Sequence, residues 1–259
     1  MANAHDTLQI TMKTSDKLLL FSLIVCLLTL VGSTVALKAE HDKIDFNDPF
    51  YGFVTTPIKP FKVLKIDGGT IGASPTGIFP SGSAGGPQPT NDSYTSVGIQ
   101  AGKTVEIRTR QDANIRFTHR MIGDTLLIQY EPEFYPRRIS ADEAFETTPF
   151  LYVIAPSIQG LIATKTTCKL AGLTTDNLSI STTNARVCLD NSSINSLIAT
   201  GQSGSLLQTA ATNHIRRATI TSRDSTGFVA VRDVFGSLSL QNDSTAVVKV
   251  PAALLKKLL

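Results

Sequence analysis

Few side chains in this 259-residue sequence have types and spacings that could do chemistry. Cys168 and Cys188 come first, because they lie about one structural repeat of roughly 20 residues apart. Strands stacked about 4.8 Å apart would bring the two Cα atoms within disulfide reach. In an oxidising compartment such a bridge would add about 2–4 kcal/mol. The alternative is a pair of buried free thiols that pack as small apolar residues. Neither cysteine has a Cys or His neighbour at metal-ligand spacing, so no metal site is expected.

The other candidates are carboxylates and cations: Asp176, Asp190, Arg223, Asp224, Arg232 and Asp233. Two carboxylates at suitable separation can act as acid and base on a glycosidic bond. Each of these residues, however, sits beside Asn, Ser or another turn former, which also reads as ordinary turn chemistry. The histidines His5, His41, His119 and His214 are scattered. His119-Arg120 and the run His214 to Arg217 could meet an anionic glycan or could be solvated strand ends. No Gly-x-Ser-x-Gly elbow occurs, and the Gly-rich stretches lack a following Lys-Ser/Thr, so nucleophile and phosphate-loop readings fail. No catalytic, cofactor-binding or metal-ligating residue is therefore assigned, and a non-enzyme is expected. The sequons at Asn91, Asn177, Asn191 and Asn242 are turn chemistry unless the chain takes a glycosylating secretory route.

The elements that would position these groups repeat. One series of doublets runs Leu178/Ile180, Leu197/Ala199, Ala218/Ile220 and Leu238/Leu240. A second runs Val187/Leu189, Leu206/Gln208, Val229/Val231 and Val248/Val250. Within each series the step is about 20 residues, a solenoid period. Triplets of apolar-polar-apolar character have the strand period of two, and one such coil could bury its apolar edge only against neighbours. The region from about Leu151 to Val250 thus predicts an all-β fold, a right-handed parallel β-helix or β-solenoid. An antiparallel sandwich is the rival. The near-constant Ser/Thr/Asn/Gly turns and the scarcity of aromatics after Thr164 favour the solenoid.

Composition agrees. Charged residues make up 17% of the chain and Trp is absent, which suits stacked strands better than helices. A net charge of +3 with no Lys/Arg run gives no nucleic-acid footprint.

Toward the N-terminus, residues 1–17 are polar and end in Lys13 and Lys17. Residues 18–37 then carry no charge before Lys38, long enough for a hydrocarbon core of about 30 Å. A transmembrane signal anchor is favoured over a signal peptide cleaved near Thr34-Val35-Ala36. Lysines flank both sides, so the positive-inside count is a tie. The large β region and the lack of a second span favour export of the C-terminal part. Cys26, within the span, reads as an apolar packing residue. Residues 38–60 form a Pro-punctuated stem linker, and residues 61–250 the exported domain, interrupted by a flexible Gly/Pro-rich insertion at 68–93. Short strands are expected at Phe61–Ile66, Val97–Ile99, Val105–Ile107 and Ile115–Phe117. A turn at Gly123-Asp124 and strands through Leu126–Ile128 and Pro149–Ile154 follow. A short helix is expected over Ser140–Phe145, and residues 251–259 form a helical cap on the last coil.

The order Val105-Glu-Ile107, Ile115 to Phe117, Gly123-Asp-Thr-Leu-Leu-Ile128, Pro149–Ile154 and then repeating short strands resembles the bacterial auto-transporter adhesin domain, also called the head GIN domain. The resemblance covers roughly residues 60 to 250. It implies an envelope or cell-surface β-helical domain with an adhesive role and no catalytic residues to carry over. The spanning helix departs from the signal peptide or lipoprotein signal that often precedes such domains.

The resulting expectation is a single-pass bacterial inner-membrane protein with a cytoplasmic N-terminus and a periplasmic scaffold or adhesion domain. Secretion or surface display would follow if the leader is cleaved. Partners would be an envelope protein, a glycan or a second copy, with the membrane held through residues 18–37 and no nucleic acid. The rival functions are a carbohydrate-active β-helix lyase or hydrolase, and a subunit of an envelope-spanning assembly.

Overall fold

The computed structural model describes residues 13–45, 48–68, 95–111, 116–130, 145–146 and 148–258. All but Phe145 of the expected helix at Ser140–Phe145, the sequon Asn91, His5 and nearly all of the 68–93 insertion lie outside the described residues. The chain divides into two units, Met1–Tyr51 and Gly52–Leu259.

The first unit contains one helix, α1, over Thr14–His41. It extends beyond the apolar run at both ends, since Asp16 suits its first turn and Lys38 and His41 suit its last. None of its residues is buried. A helix of 28 residues with mean hydropathy 2.5 over its most apolar window is long and apolar enough to cross a membrane.

The second unit is mostly β. Its first seven strands are β1 (Phe53–Pro57), β2 (Val63–Asp67), β3 (Thr95–Ala101), β4 (Glu106–Arg110), β5 (Phe117–Ile122), β6 (Thr125–Tyr130) and β7 (Leu151–Ala155). The following ten are shorter in spacing: β8 (Gly160–Thr164), β9 (Thr166–Ala171), β10 (Thr174–Thr183), β11 (Arg186–Asp190) and β12 (Ser193–Gln202). Then come β13 (Leu206–Thr209), β14 (His214–Ser222), β15 (Gly227–Ala230), β16 (Phe235–Asn242) and β17 (Val247–Lys249), with α2 (Ala252–Leu258) at the end.

Two sheets result. The nine-stranded sheet has the order β1-β4-β7-β3-β9-β11-β13-β15-β17, and the eight-stranded sheet β16-β14-β12-β10-β8-β2-β6-β5. From β8 onward the chain alternates between the sheets, and every pairing among these ten strands is parallel. The antiparallel pairs are β1–β4, β4–β7 and the β5–β6 hairpin. Gly123 turns that hairpin at φ +60°, a conformation that an L side chain resists. Parallel ladders of this kind fit the expected β-solenoid, and the all-β character is plain.

The core follows the register. In the eight-stranded sheet Leu126, Leu64, Leu161, Ile180, Ala199, Ile220 and Leu240 form one row. In the nine-stranded sheet Leu151, Val97, Cys168, Val187, Leu207, Phe228 and Val248 form another. All of these are buried except Leu240 and Val248, in the last strand of each sheet, which are half-buried. Each full burial of a Val, Leu, Ile or Phe side chain contributes about 1.5–3 kcal/mol.

The first series of doublets lies in register as the spacing predicts. The second is displaced by one residue in two coils. Leu207 and Phe228 face the core, whereas Leu206 is only half-buried and Val231 is 56% exposed. Runs such as Leu206-Leu207 and Phe228-Val229 are apolar on both faces, so a period of two cannot choose between them. The stem also differs from expectation. Phe53–Pro57 form β1, which pairs with β4, because Pro57 falls at the end of an edge strand where its missing N–H is tolerated.

Turns between successive strands explain the Ser/Thr/Asn content. Asn184, Asn191, Ser203, Asp224 and Ser225 adopt positive φ, which short polar side chains tolerate best. Ser192 Oγ accepts the Leu173 N–H of the preceding coil (3.2 Å) and donates to the Asp190 carbonyl (2.8 Å). Ser205 repeats the device, with the Ala185 N–H at 3.2 Å and the Gln202 carbonyl at 2.7 Å. Asn213, 1% exposed, accepts from the Ser192 N–H (2.9 Å) and donates to the carbonyls of Leu189 (2.7 Å) and Ala210 (3.0 Å). α2 lays Leu254, 1% exposed, into the core.

Candidate functional site: a groove on the nine-stranded sheet

Along a strand, alternate residues face outward, so parallel register fixes which outward groups are neighbours. On the outer face of the nine-stranded sheet one row reads Thr55, Arg108, Tyr152, Gly98, Lys169, Cys188 and Gln208. The next row includes Ile154, Gln100, Ala171 and Asp190.

Gly98 shapes this surface. A Cβ built there would come within 2.3 Å of Tyr152 Cδ1 and 2.4 Å of Cε1, so only glycine lets the phenol ring lie across the strand. Phe53 meets that ring edge-on, with centroids 5.6 Å apart and planes at 72°. Half-burial raises the Tyr152 pKa above its ordinary 10.0, and the phenol is protonated at neutral pH. Beside the ring opens a groove of about 290 Å³, lined by Gly98, Gln100, Glu146, Tyr152, Lys169 and Asp190 among others. Asp190 is oriented by Thr212 Oγ1, which donates to its Oδ1 at 2.7 Å. One cation, two carboxylates, an amide and a phenol thus converge on a concave wall. That set can bind a polar ligand.

Of the two readings of Cys168 and Cys188, the bridge and the pair of buried free thiols, the structure has the free thiols. All three are free, and the register gives the reason: Cys168 is opposite Val187, while Cys188 is opposite Lys169. Adjacent positions on a strand point to opposite faces, so Cys168 turns into the core and Cys188 outward. Burial pushes the Cys168 thiol up to about 12, against a lowering hydrogen bond with Thr166. Burial, followed by the Asp190 charge, pushes Cys188 up to about 11, against the opposing Lys169. Both remain thiols at neutral pH, with no thiolate to react.

The candidate carboxylates sit at separate strand ends and turns and take local partners. Asp176 accepts from Asn195 Nδ2 at 2.6 Å, and Asp233 from the Phe235 N–H at 3.4 Å. Asp224 is itself a positive-φ turn residue whose N–H donates to Asp243 at 2.7 Å. Of the carboxylates singled out in the sequence, Asp190 alone lines the groove. Arg223 and Arg232 are exposed, as are His119 and Arg120 on β5 and His214, Arg216 and Arg217 on β14. All three of Asn177, Asn191 and Asn242 are exposed; Asn191 is a positive-φ turn residue and Asn242 ends β16, whereas Asn177 lies within β10 opposite Ser196. Among the described residues no cluster of His, Cys, Asp and Glu is arranged to hold a metal ion.

Sequence reading missed Gly98, Gln100, Glu146, Tyr152 and Lys169. Only Gly98, a glycine between the strand formers Val97 and Ile99, carried a signal, that of close approach by another group.

No family model matches the chain, and no curated protein matches it. Two solved structures align with much of the chain. One is an adhesin candidate from Bacteroides fragilis NCTC 9343, with 11% identity over 77% of this chain and 96% of that chain, at TM-score 0.44. The other is an adhesin candidate from Parabacteroides merdae ATCC 43184, with 7% identity over 77% of this chain and 95% of that chain, at TM-score 0.29. Neither bears the head GIN name. Likenesses with TM-scores below 0.5 carry no weight here for fold or role.

Proposed function

We propose that this chain is a membrane-anchored bacterial envelope protein whose β region is a β-solenoid, exported to the periplasm as a rigid, non-catalytic binding or adhesion scaffold of head GIN type. The observation that carries the reading is the alternation of β8 to β17 between two parallel sheets, in the same chain as an apolar helix with no buried residue. Such coils are rigid and present long polar faces, a form suited to binding along a surface. Of the four aspartates singled out in the sequence, Asp176, Asp224 and Asp233 lie away from the groove and only Asp190 lines it, which supports the non-catalytic reading over the enzymatic one. The anchor is residues 18–37 within α1. The partner is a glycan, an envelope protein or a second copy.

Carbonate extraction of membranes followed by protease treatment of spheroplasts tests it. The reading expects the full-length chain to stay with the membrane and its β region to be cut only from the outer side. Full-length chain in the soluble fraction, or a β region protected in intact spheroplasts, would overturn it. A soluble chain beginning near Leu37 would replace the anchor with a cleaved leader.

A further inference from the structure

We propose that the groove beside Tyr152 binds one pyranose unit of a neutral or amino-sugar glycan and discriminates against uronates. The inference deepens the binding-scaffold reading and rests on it. At about 290 Å³ the groove lies near the small end of ligand clefts, roughly 300–1,000 Å³, a size for a single sugar ring rather than a peptide. Its wall has the two parts that a sugar needs. The Tyr152 ring, held down against Gly98, supplies a broad aromatic body with a polar tip, which suits the apolar C–H face of a pyranose. Asp190, fixed by Thr212, and Gln100, on either side of β9, supply acceptors and a donor for ring hydroxyls. Two carboxylates, Glu146 and Asp190, outnumber the one ammonium of Lys169 among the lining residues that carry this recognition, so an added ligand carboxylate meets net negative charge.

Titration calorimetry of the full chain in detergent, with glucose, glucosamine and glucuronate tetramers as probes, tests this. The glucose or glucosamine oligomer should bind, and the glucuronate oligomer at least ten-fold more weakly. Tyr152→Leu should lower the affinity ten-fold or more. Asp190→Asn, which keeps the shape and the Thr212 contact, should narrow the discrimination against glucuronate even if the Tyr152 variant folds poorly. Equal affinity in Tyr152→Leu with native circular dichroism, preference for glucuronate, or no binding by any probe would overturn the sugar site. Failure here with membrane retention and outside protease sensitivity intact would leave the scaffold reading standing. A cytoplasmic β region would remove that reading whatever the calorimeter shows.

Discussion

The β region has two halves built by different rules. From Gly160 to Lys249 each strand pairs with the strand two places away in sequence, always parallel, and one repeat is much like the next. From Phe53 to Ala155 the strands find varied partners: β3 pairs with β9, β2 with β8, β4 is antiparallel to both β1 and β7, and antiparallel β1 and β5 form the edges. The groove lies where the halves meet, with Tyr152 and Gly98 from the irregular half and Lys169 and Asp190 from the first regular coils. Repetition gives a platform of fixed spacing. Irregularity gives the concave wall.

The comparison can be broken most forcefully in the regular half. Phe228 is 0% exposed and packs against Phe235 at 6.2 Å, so Phe228→Ala should cost about 3–5 kcal/mol in urea unfolding. A loss below about 1 kcal/mol would mean that the coils do not stack through this row. Asn213→Ala should cost about 1–3 kcal/mol, because it strands the buried Ser192 N–H, while the Leu189 and Ala210 carbonyls keep backbone donors. Its effect checks whether neighbouring coils are stitched by side chains as well as by ladders.

At the junction, Gly98→Ala sharpens the contrast. Its new methyl would lie 2.3 Å from Tyr152, and the ring must lift, at a cost of about 1–3 kcal/mol with altered tyrosine near-ultraviolet dichroism. The smallest effect is expected at Val231, a residue that periodicity places in the core but that is 56% exposed. Val231→Thr should change stability by no more than about 0.5 kcal/mol.

The two halves are legible to different degrees for a physical reason. In the regular half the pairing partner is always one period away, so the spacing of Leu178, Leu197, Ala218 and Leu238 is enough to announce a ladder. Register within a coil is less secure where both faces are apolar, as at Leu206-Leu207 and Phe228-Val229. The unbridged Cys168 and Cys188 show the same limit, since a one-residue offset reverses the direction of a side chain. In the irregular half the strands themselves can be read, from Val97-Gly-Ile99 to the Gly123-Asp124 hairpin, but their partners cannot. Nothing in sequence spacing links Gly98 to Tyr152 or Tyr152 to Lys169, so the groove emerges only from the register. β1 is hidden by the prolines of the stem, which an edge strand accommodates.

The most direct test of the parallel, in-register stacking on which all this depends is a designed crosslink on the exposed face of the eight-stranded sheet. Ser181 and Thr200 are register partners on β10 and β12, both exposed. The double variant Ser181→Cys, Thr200→Cys should form a disulfide on mild oxidation, seen as a two-proton mass loss reversed by reductant. The parent chain, with Cys168 and Cys188 directed to opposite faces, should show no intramolecular change. Failure of the double variant to crosslink, with a folded spectrum, would contradict the parallel ladder and return the chain to an antiparallel sandwich.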